Sequence, residues 1–226
     1  MKKPYIVCHM MTSLDGRIDC AMTEQLPGVQ EYYQTLEALQ APTTISGRVT
    51  AQLEMALPGE FQTSEPTPVN KEAFSKKADA PGYEVVVDTH GKLLWPGSGE
   101  QEKPLLILTS EQAPQEYLSY LDGRNISWIV TGKERIDLAR AVEILAAEFG
   151  VERMAVVGGS AINTSFLDAG LLDEVSILIG AGIDGRGGMP AVFDGLPKTH
   201  PVIPLRLTDV QKFDSGAVWM KYRIQP

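Results

Sequence analysis

Short apolar runs rich in β-branched residues alternate with helix-length amphipathic segments along most of the chain, and this alternation restricts the fold more than any other feature. The pattern predicts strands at Tyr5–Met11, Thr43–Ser46, Tyr83–Asp88, Leu105–Thr109 and Ile126–Val130. Four more are predicted at Met154–Val157, Val175–Ile179, Pro204–Lys212 and Ala217–Ile224. Helices are predicted at Val29–Gln40, Val49–Ala56, Pro114–Leu121, Leu138–Phe149 and Ala161–Asp168. The fourth is the clearest. Leu138, Ala141, Val142, Leu145, Ala146 and Phe149 share one stripe, Asp137 can cap its start, and Gly150 can end it. Strands separated by helix-length segments imply parallel pairing through right-handed crossovers. At the end, Asp214-Ser215-Gly216 is a turn signal between two strand-like runs, so an antiparallel hairpin is expected there. The expectation is an α/β fold with a mixed, mainly parallel sheet. A chain of 226 residues suits one domain, 1–226, with Pro58–Val69 as an exposed loop.

A net charge of −9 argues against a nucleic-acid partner, because phosphates would be repelled. No basic run suits an anionic membrane, and no apolar stretch reaches the roughly 18 residues a spanning helix needs. Cys8 and Cys20 cannot make a disulfide framework, and no secretory signal is expected before them, so the compartment expected is the cytoplasm. His9, His90 and His200 lack metal-ligand spacing, so no metal site is expected. The G-x-S-x-G elbow of hydrolases and the P-loop of nucleotide triphosphatases are missing as well.

Two corners attract attention. Met154-Ala155-Val156-Val157 runs into Gly158-Gly159-Ser160 and then a helix, and Thr43-Thr44-Ile45-Ser46 runs into Gly47-Arg48-Val49-Thr50. A helix start offers unpaired N–H groups and partial positive charge, and glycine lets a ligand come close to the backbone. Two such corners suggest a dinucleotide. Each also has a plain reading: Ser160 as an N-cap, and Arg48 as an exposed first-turn arginine. A literal G-x-G-x-x-G stands at Gly180–Gly185, but Arg186-Gly187-Gly188-Met189-Pro190 is a poor helix start, so a glycine-rich loop is expected instead of a Rossmann turn. Thr12-Ser13-Leu14-Asp15-Gly16-Arg17 leaves the first strand in a polar turn, and Asp88-Thr89-His90-Gly91 closes another strand.

Together these residues make the chain resemble the riboflavin-biosynthesis pyrimidine reductase family, the reductase half of the bifunctional deaminase-reductase, with a dihydrofolate-reductase-like three-layer fold. The resemblance rests on Ser13-Leu14-Asp15-Gly16, on Gly47-Arg48-Val49-Thr50, and on the block from Gly158-Gly159-Ser160-Ala161 through Leu171-Leu172-Asp173-Glu174 to the loop Gly180–Gly188. The ending Gly216-Ala217-Val218-Trp219 is similar too, and the deaminase half is not expected. The resemblance implies an NADPH-dependent homodimeric reductase acting on a small-molecule substrate. It places Ser13, Gly47, Arg48, Thr50, Glu54, Thr89 and His90 with Gly158, Gly159, Ser160, Ala161, Ile162 and Asn163 at the cofactor, Arg48, Thr89 and His90 near its 2′-phosphate. Asp15 and His9 are the candidate catalytic residues, as proton donors or substrate anchors, beside the plain readings of a turn aspartate and a half-buried histidine. On the substrate side the chain departs from the pattern. Val157 stands where an acid commonly meets the pyrimidine, His9 where a lysine is frequent, and the phosphate-gripping segment after Glu54 is not recognisable. Losing a buried polar partner costs about 1–3 kcal/mol, so a dihydrofolate-reductase-like orphan reductase and a non-catalytic NADPH-binding protein stay open.

Overall fold

The computed structural model describes residues 3–64, 66–97 and 102–225, so Glu65 of the Pro58–Val69 loop lies outside the described residues. In chain order the first elements are β1 (Tyr5–Thr12), α1 (Cys20–Thr23), α2 (Val29–Ala38), β2 (Thr43–Gly47) and α3 (Arg48–Glu54). They continue with β3 (Ala73–Ser75), β4 (Glu84–Val87), β5 (Leu105–Thr109), α4 (Gln115–Gly123), β6 (Ser127–Val130) and α5 (Leu138–Ala147). The last are β7 (Arg153–Gly158), α6 (Ser160–Asp168), β8 (Glu174–Ile179), β9 (Leu205–Lys212) and β10 (Val218–Ile224). All nine predicted strands and five predicted helices are present, with ends shifted by at most two residues. The four-residue α1 and three-residue β3 are additions, both too short to show a period. The α5 caps are as expected: the Asp137 side chain accepts from Arg140 N at 3.0 Å, and Gly150 turns with φ +68°.

The chain divides into two compact units: Pro42–Met154 with the residues up to Pro4, and Tyr5–Ala41 with Ala155 onward. In the first unit β2, β4, β5 and β6 pair in parallel in that spatial order, and β3 adds to β6 antiparallel. Strand alternation splits the side chains between two faces. Val86, Leu105, Ile107, Trp128 and Val130 pack with Ala51 of α3 and with Tyr117, Leu118 and Leu121 of α4. The alternates Val85, Leu106, Leu108 and Ile129 are fully buried on the other face, where α5 lies against β6.

In the second unit the spatial order is β7-β1-β8-β10-β9. β1 and β8 are parallel, while β10 is antiparallel to both β8 and β9. The expected C-terminal hairpin is therefore present, turning at Gly216 with φ +86°. Val7, Met11, Leu178 and Trp219 form its core with Leu39, and Tyr32 and Leu36 of α2 close over them. β9 is exposed along nearly its whole length, with Leu205, Leu207 and Val210 open to solvent. Among the described residues, no helix is long and apolar enough to cross a membrane. Neither cysteine is in a disulfide, and Cys8 is buried and Cys20 partly so.

Candidate active site

Within the first unit, the carboxyl ends of β2 and β4 stand in parallel register, Ser46 with Val86 and Gly47 with Val87. The next residues are Arg48, which opens α3, and Asp88. Arg48 is exposed and makes no hydrogen bond or ion pair among the described residues, although its charge acts on the Asp88 carboxylate. Thr50 lies half-buried on the first turn, and Glu54 is exposed one turn later. Asp88 is fully buried. Its Oδ2 accepts from Lys92 N at 2.7 Å, Leu93 N at 2.8 Å and the Tyr117 hydroxyl at 2.9 Å. Its Oδ1 is buried with no partner. Burial pushes the carboxyl above its ordinary value, against the pull of those hydrogen bonds. Thr89 is half-buried and His90 exposed, so this turn carries both expected residues to the surface. Sequence reading does not single out Asp88 as a site residue, because an aspartate closing a strand reads as ordinary turn chemistry.

In the second unit, Gly159 is the N-cap of α6, with φ +83° and no side-chain cap. This corrects the expected Ser160 cap: Ser160 is the first helical residue, and its Oγ is buried without a partner. Ile162 and Asn163 are buried, and both their N–H groups donate to Gly159 O at 3.1 Å. Asn163 Nδ2 donates to Val192 O at 2.9 Å, while its Oδ1 is unpartnered. Ala161 is exposed. Of the six expected residues here, Ser160 and Asn163 each carry a buried side-chain oxygen with no partner, while Gly158 and Gly159 give close backbone approach.

The polar turn after β1 has a use that its spacing does not reveal. Ser13 Oγ donates to Asp15 Oδ1 at 2.7 Å and accepts from Arg17 N at 3.1 Å. Asp15 also accepts from Asp184 N at 3.0 Å and Gly185 N at 3.1 Å, and Leu14 N donates to Gly182 O at 2.7 Å. Arg17 Nη1 reaches Met189 O at 2.6 Å. The turn thus clamps the glycine-rich loop across the sequence. Hydrogen bonds, that from Ser13 foremost, hold the Asp15 carboxyl down at about 2, so it has no proton to give at neutral pH.

His9 lies between Val7 and Met11 on the β1 face that α2 covers, and it is fully buried, correcting the half-buried expectation. Its ring stacks on Tyr32 with centroids 4.9 Å apart and planes 6° apart. Nδ1 lies 2.9 Å from Ser176 Oγ, which already accepts from Trp219 Nε1 at 2.7 Å. Nε2 lies 3.2 Å from Thr35 Oγ1, whose hydroxyl donates to Tyr32 O at 2.9 Å. One arrangement satisfies every group: Ser176 donates to Nδ1, and Nε2–H donates to Thr35. Burial drives the imidazole down to about 4, against its contacts with Tyr32 and Ser176, so it too is proton-free on one nitrogen at neutral pH. Among the described residues, no three His, Cys, Asp or Glu side chains gather as a metal site would require.

The family described as the RibD C-terminal domain matches residues 4–219. The chain belongs to that family. Two relatives of the chain carry the name 2,5-diamino-6-ribosylamino-4(3H)-pyrimidinone 5′-phosphate reductase. The protein of Methanothermobacter thermautotrophicus is 29% identical over 204 residues, covering 85% of each chain. That of Archaeoglobus fulgidus is 26% identical over 197 residues, covering 85% of this chain and 87% of its own. Among solved structures, a pyrimidine reductase-like protein from Corynebacterium diphtheriae aligns with 99% of this chain and 92% of its own, at TM-score 0.72 and 16% identity. The deaminase/reductase of Thermotoga maritima aligns with 99% of this chain and 57% of its own, at TM-score 0.66 and 16% identity. The fold is that of the dihydrofolate-reductase-like pyrimidine reductases, and the chain is an oxidoreductase of the RibD C-terminal domain family.

Proposed function

We propose that the chain is an NADPH-dependent reductase that delivers hydride to a C=N or C=O carbon of a ribosylaminopyrimidine phosphate. The observation that carries this reading is the unpartnered Arg48 at the carboxyl end of β2, beside the turn bearing Thr89 and His90, in a chain matched by the RibD C-terminal domain over residues 4–219. The residues suit the cofactor. An arginine without a partner, a helix start with Gly159 at φ +83° and the orphaned Ser160 hydroxyl are the donors that phosphate groups need. Arg48, Thr89 and His90 would hold the 2′-phosphate, with Thr50 and Glu54 beside them. Gly158 to Asn163 would face the diphosphate, chiefly through backbone and Ser160. When bound, NADPH supplies the hydride.

The chain's own residues bind, orient and exclude water. Ser13 and Asp15 act by holding the loop from Gly180 to Met189 in place at the carboxyl end of β1. His9 acts as a core residue. The proton that accompanies hydride then comes from solvent or substrate, since at neutral pH Asp15 is ionised and His9 is a neutral imidazole, too weak an acid to supply it. A homodimer belongs to this reading: an exposed edge strand with Leu205, Leu207 and Val210 is the kind of surface a second copy covers. So do a cytoplasmic setting and the absence of nucleic-acid and membrane partners.

Loss of NADPH absorbance with the diaminopyrimidinone ribosyl phosphate, the corresponding uracil and dihydrofolate tests the reading. Turnover is expected on a ribosylaminopyrimidine. Arg48→Met should raise KM for NADPH about tenfold and leave that for NADH within twofold, the loss of one charge-assisted contact. Turnover on dihydrofolate alone, or tight NADPH binding with no turnover, would replace this reading with one of the two others the residues allow.

A further inference from the structure

We propose, on the reading that the chain takes NADPH, that Asp88 is a positioning residue for 2′-phosphate recognition, acting through the acceptor geometry of the turn it closes. Arg48 and Asp88 leave adjacent parallel strands side by side, one register step beyond Gly47 and Val87. From there the turn is fixed by three holds, two of which share Tyr117. Asp88 Oδ2 gathers Lys92 N, Leu93 N and the Tyr117 hydroxyl, and Tyr117 is itself steadied by a bond from Trp95 Nε1 at 2.9 Å. Gly91 turns with φ +65° directly over the Tyr117 ring, where an added Cβ would lie 2.5 Å from Cδ1. The Thr89 carbonyl accepts from Ser110 N at 3.1 Å, Thr109 Oγ1 at 3.1 Å and Ser110 Oγ at 2.8 Å.

Carbonyl, carboxylate and glycine are all committed to the interior. The side chains of Thr89 and His90 therefore remain as the turn's outward groups, next to an arginine with no other partner. An anion site made from a loop gains affinity when its donors are already in place, because ordering them on binding costs free energy. Asp88 is the residue on which that order rests. It touches no ligand: its side chain is fully buried. An aspartate suits the task because one of its oxygens can accept several donors at once on a short side chain.

The test uses calorimetric titration of the whole protein with 2′,5′-ADP and with 5′-AMP. Tighter binding of 2′,5′-ADP by the unaltered protein bears on the NADPH reading, and equal binding removes that reading and this inference with it. Where the preference exists, Asp88→Ala should weaken 2′,5′-ADP about tenfold and leave 5′-AMP unchanged. Asp88→Asn, which keeps an acceptor oxygen, should retain most of the preference. Tyr117→Phe removes one donor and almost no volume, and should give a smaller loss confined to 2′,5′-ADP. It carries the test if Asp88→Ala does not fold. The inference is overturned if Asp88→Ala or Tyr117→Phe leaves the ratio of affinities unchanged, or weakens both nucleotides alike. It is overturned equally if Asp88→Asn loses the preference as fully as Asp88→Ala, since charge and not turn geometry would then be at work.

Discussion

A histidine buried in a fully satisfied network should make this protein acid-sensitive in a defined window, and His9 allows the size to be worked out. Its folded-state value of about 4 lies below the ordinary 6.5, because burial penalises the imidazolium. The sign follows directly. The folded state binds this proton less readily than the unfolded state, so stability from His9 is complete above pH 6.5, declines as pH falls, and is fully lost below 4. A gap of that size corresponds to about 3 kcal/mol, of which about 2 kcal/mol is already gone at pH 5. This is a large share of the 5–15 kcal/mol that holds a typical domain folded.

The geometry explains why relaxation would not erase the penalty. Protonating Nδ1 would turn the Ser176 hydroxyl from donor to acceptor while it still accepts from Trp219 Nε1, leaving its hydrogen without a partner in the core. The assay compares urea unfolding of the native protein with His9→Gln, which keeps one donor and one acceptor but does not titrate. The stability difference between the two should shrink or reverse by about 2 kcal/mol between pH 7 and pH 5. A difference that stays constant across that range would refute the reasoning, whatever its absolute value.

Two further outcomes follow from single contacts. Asp137→Ala removes the only side-chain cap of α5 and should lower stability by about 1 kcal/mol in the same urea assay, with Asp137→Ser recovering most of it. Asp15→Ala frees the N–H groups of Asp184 and Gly185, so their hydrogen exchange should quicken about tenfold while Ile107 and Val156 in the core strands stay protected.

The regular elements were legible because each carries enough residues to display its period. Leu138 to Phe149 shows a helical stripe, and Leu105 to Thr109 a buried apolar run. Ala73–Ser75 offers only three residues, one of them a serine, and finds its place by pairing with β6 instead of by its own pattern. The environment of His9 was out of reach for a different reason. Its partners Tyr32, Thr35, Ser176 and Trp219 come from three distant segments, and their convergence is a product of β1, β8 and β10 lying side by side. Asp88 reads as a turn residue in the sequence, and the signal that raises it further is its bond from Tyr117, on whose ring Gly91 packs, which again needs α4 in position.

The literal G-x-G-x-x-G shows why context outweighs a motif. Its first two glycines lie close against Leu26: a Cβ on Gly180 would come 2.9 Å from Leu26 Cβ, and one on Gly182 would come 2.5 Å from the Leu26 Cδ2 methyl. No helix follows before β9, and the loop's N–H groups at 184 and 185 are already bound by Asp15. A phosphate would find those donors occupied. At Gly158-Gly159 the relation is inverted, because a nine-residue helix opens there and the Ser160 hydroxyl has no internal partner. Glycine beside committed donors marks close packing, and glycine beside uncommitted donors marks a place for an anion. By that criterion the elements proposed to face phosphate are the Gly158–Ser160 corner and the Arg48–Thr89 corner, each within its own unit, and the glycine-rich loop is a strap that Asp15 and Arg17 hold down.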